Sequence, residues 1–310
     1  MNAFVLAAGF GTRLQPLTDT LPKPLIPVLN VPSLCYSLFL LKRAGISKAI
    51  INIHHHQESI RRFFDEHDFG GLEIVLSEEP TILGTGGGLK KCEALLGDEE
   101  FLLINSDIIS DIDLRSLIDT HRRSGTGGTL ALYETPLAAE IGHIGVKDGR
   151  VLDFRNRRGT GLDSSFIYTG TAILSPAIFQ HLESGYSGIV ETGFNGLVEN
   201  EGLAFYEHKG LWQDIGTLPN FYRANLDDNL RILQLAAEMK QQIGFFPHRI
   251  SPEASISPDA TVTDSVIGAN CSIAKGAVVE RSVLLPGTMI GPDETIRNSI
   301  AAPPNVRIPL

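Results

Sequence analysis

The sequence is poor in cysteine, in basic charge and in long apolar runs, and each shortage excludes a class of protein. Its three cysteines, Cys35, Cys92 and Cys271, are odd in number, widely spaced and free of any C-x-x-C pair, so neither a disulfide framework nor a cysteine zinc site is available. Twenty-six Lys and Arg stand against 36 Asp and Glu, a formal charge of −10, which repels nucleic acid and anionic membrane surfaces. No apolar run approaches the roughly 20 residues of a membrane helix. The first residues, Met-Asn-Ala-Phe-Val-Leu-Ala-Ala, lack the basic flank and the length of a secretory signal. These absences predict a cytoplasmic protein with reduced thiols and no nucleic-acid or membrane partner. Two phosphate-binding strings are missing as well. No G-x-x-x-x-G-K-[ST] occurs, and the G-x-G-x-x-G pattern that Gly9 and Gly11 begin ends in Leu14.

What is present is an ordinary globular composition, 43% apolar and 20% charged over 310 residues, enough chain for one large domain or two unequal ones. Short apolar runs (Phe4-Val5-Leu6, Ala49 to Ile53, Leu72 to Leu76, Phe101 to Ile104, Thr129 to Tyr133) alternate with helical patterns from Ser33 to Ala44, Glu58 to Phe64, Leu89 to Leu96 and Leu114 to Arg123. Such alternation predicts β-α units around a mostly parallel sheet covered by helices on both faces. Asp113 is placed to cap a helix, and Asp111 reads as a solvated turn residue. From Leu218 to Ile243 the pattern is continuously helical, with Gly244 as its stop. Beyond it Ile250, Ile256 and Val262 fall six apart, as do Ile267, Ile273 and Val279, then Leu284, Ile290 and Ile296, with an offset of five from one triplet to the next. That period predicts a hexapeptide β-helix, each repeat one flat side of a coil. The expected organisation is a main domain over 1–225, a connecting helix over 226–247 and a coil over 248–310.

Four stretches carry chemistry. Leu6-Ala7-Ala8-Gly9-Phe10-Gly11-Thr12-Arg13-Leu14, with Pro16-Leu17-Thr18 and Pro22-Lys23-Pro24-Leu25 behind it, ends a strand in small residues whose backbone N–H groups can approach phosphate and base. Leu83-Gly84-Thr85-Gly86-Gly87-Gly88 places three consecutive glycines at the start of a helix. Asn105-Ser106-Asp107 sets a carboxylate at the C-terminal edge of the sheet, where ligands of open α/β sheets bind. Trp212-Gln213-Asp214-Ile215-Gly216-Thr217 supplies another aspartate. In that order, these stretches resemble the signature of the sugar-1-phosphate nucleotidyltransferases.

The resemblance implies a GT-A-like, Rossmann-type mixed sheet flanked by helices, followed by a small left-handed parallel β-helix. It implies Mg²⁺-dependent transfer of a nucleotidyl group from a nucleoside triphosphate to a sugar 1-phosphate, with pyrophosphate released. By the same resemblance Leu6, Ala7, Ala8, Gly9, Gly11, Thr12 and Arg13 line the nucleotide together with Gly84, Thr85, Gly86 and Gly87. Arg13 and Lys23 act on the phosphates, and Asp107 and Asp214 hold the metal. The F-x-E-K-P element of many members is replaced here by Phe154-Arg155-Asn156-Arg157-Arg158. Arg157 then stands for the phosphate-binding lysine, and Gly145, Gly170, Glu191 and Thr192 are expected beside it on the sugar phosphate. The short glycine loop resembles muramic acid 1-phosphate uridylyltransferases and the appended coil resembles mannose-1-phosphate guanylyltransferases, so GTP and UTP are both open. A homo-oligomer, dimer or higher, is expected from the exposed coil faces. A silent regulatory subunit is opposed by the intact Arg13, Lys23, Asp107 and Asp214. An acyltransferase is opposed by a tail whose last histidine is His248. The triplet His54-His55-His56 reads as a loop rather than a metal site, because neighbouring side chains on an extended chain point apart.

Overall fold

Strand β1 (Ala3–Leu6) is four apolar residues long, and its Ala3, Phe4 and Val5 have no accessible surface. A run of this kind is stable only where side chains cover both faces. It lies between parallel neighbours β2 (Lys48–Ile53) and β4 (Phe101–Asn105), with β3 (Glu73–Glu78) outside β2. Strands β5 (Gly128–Glu134), β6 (Ile144–Lys147), β7 (Arg150–Phe154), β8 (Phe166–Leu174) and β9 (Leu203–His208) complete a nine-stranded mixed sheet in the order β3-β2-β1-β4-β8-β5-β9-β7-β6. The antiparallel members are β8, between β4 and β5, and β7, between β9 and β6. The structure, a computed structural model, describes residues 1–227 and 230–310.

The described chain divides into two units, one of Met1–Phe10 and Ser37–Trp212, the other of Gly11–Tyr36 and Gln213–Leu310. The first unit holds the whole sheet and a core in which Phe4, Leu103, Leu130, Ala172 and Leu174 are fully buried and the rings of Phe101 and Phe179 stack at 5.4 Å. Helices α1 (Ser33–Ala44), α2 (Gln57–Glu66), α3 (Gly84–Lys91) and α4 (Leu114–Ser124) follow their strands. Asp113 caps α4, accepting from Arg115 N and Ser116 N, and hydrogen bonding led by Ser116 Oγ holds its carboxyl below the usual range. Asp111 departs from its expected place as a solvated turn residue: its Oδ1 accepts Leu211 N–H at 2.7 Å and lies 3.5 Å from His208 Nε2.

In the second unit a small hairpin pairs Pro27–Val28 with Val31–Pro32. Its turn residues Leu29 and Asn30 are both left-handed, at φ 48° and 64°. Asn30 Nδ2 donates to the carbonyls of His248 and Ile267 at 3.0 Å each, so the residues after the glycine motif are tied to the start of the coil. The stretch expected as one helix from Leu218 to Ile243 is helical in separate pieces, α5 (Leu218–Leu226), α6 (Leu230–Gln234) and α7 (Ala236–Ile243). Its residues 228 and 229 lie outside the described residues. At Leu235 the N–H bonds to Ile232, three residues back, which tightens the backbone and interrupts the four-residue ladder. Gly244, at φ 78°, ends α7 as expected.

The coil follows the six-six-five spacing. Ser255–Ile256 pairs in parallel with Ser272–Ile273, and that with Met289–Ile290, so partners lie seventeen residues apart. The second side stacks Thr261–Thr263, Val278–Glu280 and Thr295–Arg297, and the third Val266–Ile267, Val283–Leu284 and Ser299–Ala302. Ile267, Ile273, Val279, Leu284 and Ile290 fill the interior. Ile250, at the uncovered end of the stack, stays 49% exposed, whereas the last coil is closed by Val306–Pro309 running antiparallel. Among the described residues no helix is long and apolar enough to cross a membrane.

Candidate active site

Because β1 to β4 run parallel, their C-terminal ends share one edge: Leu6 stands between Asn52 and Asn105. Beyond Leu6 the chain passes through buried Ala7 and Ala8 to the exposed Gly9 and Phe10. Ala7 N–H donates to Asn52 Oδ1 at 2.8 Å, Asn52 Nδ2 donates to Glu79 Oε1 at 2.7 Å, and Leu83 N–H donates to Glu79 Oε2 at 2.8 Å. The Asn105-Ser106-Asp107 turn is fixed to the same edge, since Ser106 N–H and Oγ both donate to Leu6 O, at 3.2 and 2.7 Å. Asp107 is half-buried there. Asn52 and Glu79 escaped the sequence reading, although an asparagine inside the apolar run Ala49 to Ile53 was a visible signal.

Gly84, Gly86, Gly87 and Gly88 are part of α3 rather than a loop before it. Their missing side chains have a reason inside the chain. A Cβ on Gly87 would fall 1.7 Å from Gly185 O, one on Gly84 2.4 Å from Ser187 O, and one on Gly88 2.6 Å from Glu79 Oε1. The segment Gly185–Ile189 lies against the helix, with Gly86 N–H donating to Ser187 O and Ile189 N–H to Thr85 Oγ1, both at 2.9 Å.

That segment runs into Glu191, whose Oε1 accepts Arg157 Nη1 at 2.8 Å in an exposed ion pair. Two of the expected sugar-phosphate residues are thus brought together. Thr192 Oγ1 instead donates to Gly188 O, and Gly170, at φ 85°, packs against Asn105, where a Cβ would meet the amide at 2.8 Å. Gly145 is buried against Asp153. Asp153, itself fully buried, accepts from Arg158 N, Thr160 N and Thr160 Oγ1 and organises the loop that carries Arg157. Burial pushes its carboxyl up, and those hydrogen bonds outweigh burial and hold it below its ordinary value.

In the second unit Gly11 adopts φ 68°, and a Cβ there would fall 2.8 Å from Thr18 Cγ2 and 3.0 Å from Lys23 Cβ, so the Lys23 stem packs directly on the glycine turn. Thr12 and Arg13 are exposed beside it. Asp214 Oδ1 accepts Gly216 N–H at 2.6 Å, and a Cβ on Gly216 would meet both that oxygen, at 2.8 Å, and Arg13 Nη2, at 2.9 Å. Arg13 and Asp214 therefore converge on Gly216. His54 Nδ1 bonds Glu79 O, and the ring of His56 packs on that of His55 at 4.0 Å. Cys35, Cys92 and Cys271 are buried free thiols, each pushed up by burial.

The family described as nucleotidyl transferase matches residues 2–230. The chain belongs to it. Residues 236–309 match a second family, described as GlmU-like C-terminal hexapeptide. This nucleotidyl transferase is 29% identical to a UTP–glucose-1-phosphate uridylyltransferase of Synechocystis over 94% of its own length and 84% of that protein. It is 30% identical to the mannose-1-phosphate guanylyltransferase catalytic subunit beta of Danio rerio over 94% of its length and 86% of that protein. A solved apo UDP-glucose pyrophosphorylase shares the fold, with a TM-score of 0.62 at 20% identity over 73% of this chain and 97% of that one. The four motifs, each intact, fall within the nucleotidyl transferase match.

Proposed function

We propose that this nucleotidyl transferase joins a nucleoside triphosphate to a sugar 1-phosphate. A phosphate oxygen of the sugar phosphate attacks the α-phosphorus in line, the bond from that phosphorus to the bridging oxygen of the β-phosphate breaks, and pyrophosphate leaves with the bonding electrons. The observation that carries this reading is the unbroken run from Leu6 to Leu25, folded with the Lys23 stem packed on the left-handed Gly11. Nothing covalent to the protein is needed, so the chain's contribution is positioning and charge. Arg13 and Lys23 offset the negative charge that gathers on the phosphates. The bare backbone of Leu6–Gly9 and the first turn of α3 line the nucleotide. Arg157 beside Glu191 receives the sugar phosphate, with the guanidinium on the phosphate and the carboxylate on a sugar hydroxyl.

Asp107 and Asp214 are assigned to a divalent ion. Carboxylate oxygens suit Mg²⁺, which takes few protein ligands and completes its shell with phosphate oxygens and water. When bound, the ion neutralises phosphate charge and orients the reacting groups. The relatives' names support two pairings, UTP with glucose 1-phosphate and GTP with mannose 1-phosphate. Heptose and amino-sugar phosphates extend the panel. Copies of the chain assemble through the coil, on which Met289 is 71% exposed; sedimentation as a monomer at micromolar concentration would exclude that. The reaction is tested by pyrophosphate release with Mg²⁺ across the four triphosphates and the sugar 1-phosphate panel, with Asp107→Ala as control. Release with one pairing and none from the variant is expected. Folded wild-type protein that releases pyrophosphate with no pairing overturns the reading.

A further inference from the structure

Glu79 is a carboxylate with no accessible surface. Burying such a group is costly unless each oxygen meets a donor, and here each does: Oε1 receives Asn52 Nδ2 at 2.7 Å and Oε2 receives Leu83 N–H at 2.8 Å. Its main chain is held as firmly. Glu79 N–H donates to Ile53 O at 2.8 Å, and Glu79 O accepts from Gln57 Nε2 at 3.1 Å and meets His54 Nδ1 at 2.8 Å. Asn52, 1% exposed, is the middle link, accepting Ala7 N–H through Oδ1 while donating to Glu79 through Nδ2. This Ala7–Asn52–Glu79–Leu83 chain therefore begins at the residue after β1 and ends at the residue before α3.

We propose that Asn52 and Glu79 are positioning residues that set the separation of the two backbone segments gripping the nucleotide, Leu6–Gly9 and Gly84–Gly87. The inference rests on the nucleotidyl-transfer reading, because it takes those two segments to be the nucleotide's. Neither side chain reaches the solvent-facing edge, so both act through Ala7 and Leu83. The same network accounts for the third consecutive glycine. A Cβ on Gly88 would stand 2.6 Å from Glu79 Oε1 and 2.8 Å from Asn52 Nδ2, so the residue is kept bare by the hydrogen bonds beside it.

The direction of each hydrogen bond supplies the test. In Glu79→Gln one side-chain oxygen is lost, and the new amide faces either the Asn52 amide or Leu83 N–H, donor against donor. In Asn52→Asp two carboxylates face each other. In the exchange Asn52→Asp with Glu79→Gln every bond is restored: Ala7 N–H to Asp Oδ1, Gln Nε2 to Asp Oδ2, and Leu83 N–H to Gln Oε1. Each protein is titrated with GTP and with UTP by calorimetry and melted, and the KM for the sugar 1-phosphate is taken from the pyrophosphate assay. The single variants are expected to weaken binding of the accepted triphosphate about ten- to hundredfold. The sugar-phosphate KM should hold within about twofold, and the exchange should return nucleotide affinity to within about threefold of wild type. Should Glu79→Gln fail to fold, Asn52→Ala makes the same comparison, since it frees Ala7 and leaves Leu83 bound. Singles that bind as wild type overturn the inference. So does an exchange that folds yet binds as weakly as the singles, because the Glu79 charge itself would then be what the ligand needs. Wild-type protein that binds neither triphosphate removes the nucleotidyl-transfer reading first and this inference with it.

Discussion

Buried polar groups are satisfied in different ways in the coil and in the sheet. In the coil Ser265, Ser282 and Ser299 stand one above another at the coil repeat. Ser282 N–H donates to Ser265 Oγ at 3.0 Å and Ser299 N–H to Ser282 Oγ at 3.2 Å, while each hydroxyl donates to the carbonyl two residues before it. Every rung repeats the last, so the arrangement is a consequence of stacking. In the sheet unit Ala7, Asn52, Glu79 and Leu83 come from four different segments, and no part of their network recurs. Regular packing does not require it. A costly, fully met and non-repeating network at the C-terminal edge of a sheet marks the place where chain geometry has to be held for something else.

The largest effects should separate the residues proposed for the reaction from the coil. Lys23→Ala removes the cation proposed to act on the phosphates and is expected to lower kcat about 10²–10³-fold, far more than it lowers the melting temperature. Equal loss of turnover and stability would make Lys23 a packing residue. The counterpart in the coil is Ile273→Ala, where a side chain 2% exposed is emptied. It should cost about 2–4 kcal/mol of stability, measured by denaturant unfolding, with kcat and both KM values unaltered at temperatures where the protein stays folded. Lost activity in folded Ile273→Ala would show that the coil interior is coupled to the reaction.

The link between the glycine motif and the coil can be weakened more gently. Asn30→Gly keeps a residue that accepts the φ of 64° and deletes the two 3.0 Å hydrogen bonds to His248 O and Ile267 O. A loss of about 1–3 kcal/mol is expected on unfolding. No change would mean that water replaces the amide without cost. Asp153 adds a pH dependence. Its carboxyl is held below the ordinary value, so the unfolded chain binds the proton first and stability rises with pH through that interval. The contribution is complete above the unfolded carboxylate value of about 3.9 and is lost as pH falls through the depressed native one. Melting temperature against pH should therefore drop less steeply below about pH 4 in Asp153→Asn than in wild type. Parallel profiles would remove Asp153 from the set that holds the Arg157 loop.

What the sequence made legible follows the same division. The coil was readable from Ile256 onward because its information is local: a six-six-five spacing sets both which side chains point inward and which strands pair, and only Ile250, at the end of the stack, departs from it. Helix α1 from Ser33 to Ala44 and the Asp113 cap were readable for the same reason. The Asn52–Glu79 bridge was not, because it joins residues 27 apart that share no short-range pattern. The cover that Gly185–Ile189 lays over α3 was hidden too, and with it the reason that three glycines could enter a helix at all. The break between α6 and α7 turned on one three-residue hydrogen bond at Leu235, which apolar periodicity does not register.

The smallest expected effect probes the comparison at its weakest point. Among the described residues, every buried side-chain polar atom from residue 250 to the end of the coil has a hydrogen-bond partner, whereas in the sheet unit the Tyr168 hydroxyl and Asn195 Oδ1 are buried without one. Tyr168 lies on β8, its ring edge-on to Phe194 at 5.5 Å, and burial pushes its hydroxyl far up, so it remains a protonated donor at any physiological pH. An unmet buried hydroxyl costs stability that a methine would not. Tyr168→Phe is therefore expected to stabilise the ligand-free protein by about 1 kcal/mol and to leave the nucleotide KM unchanged. If the sugar-phosphate KM rises in the same variant, the hydroxyl is an acceptor's waiting partner, and the sheet unit has given up stability for a contact that only the bound sugar completes. If stability falls instead, the hydroxyl is met within the fold, and the sheet unit is as fully satisfied at this point as the coil.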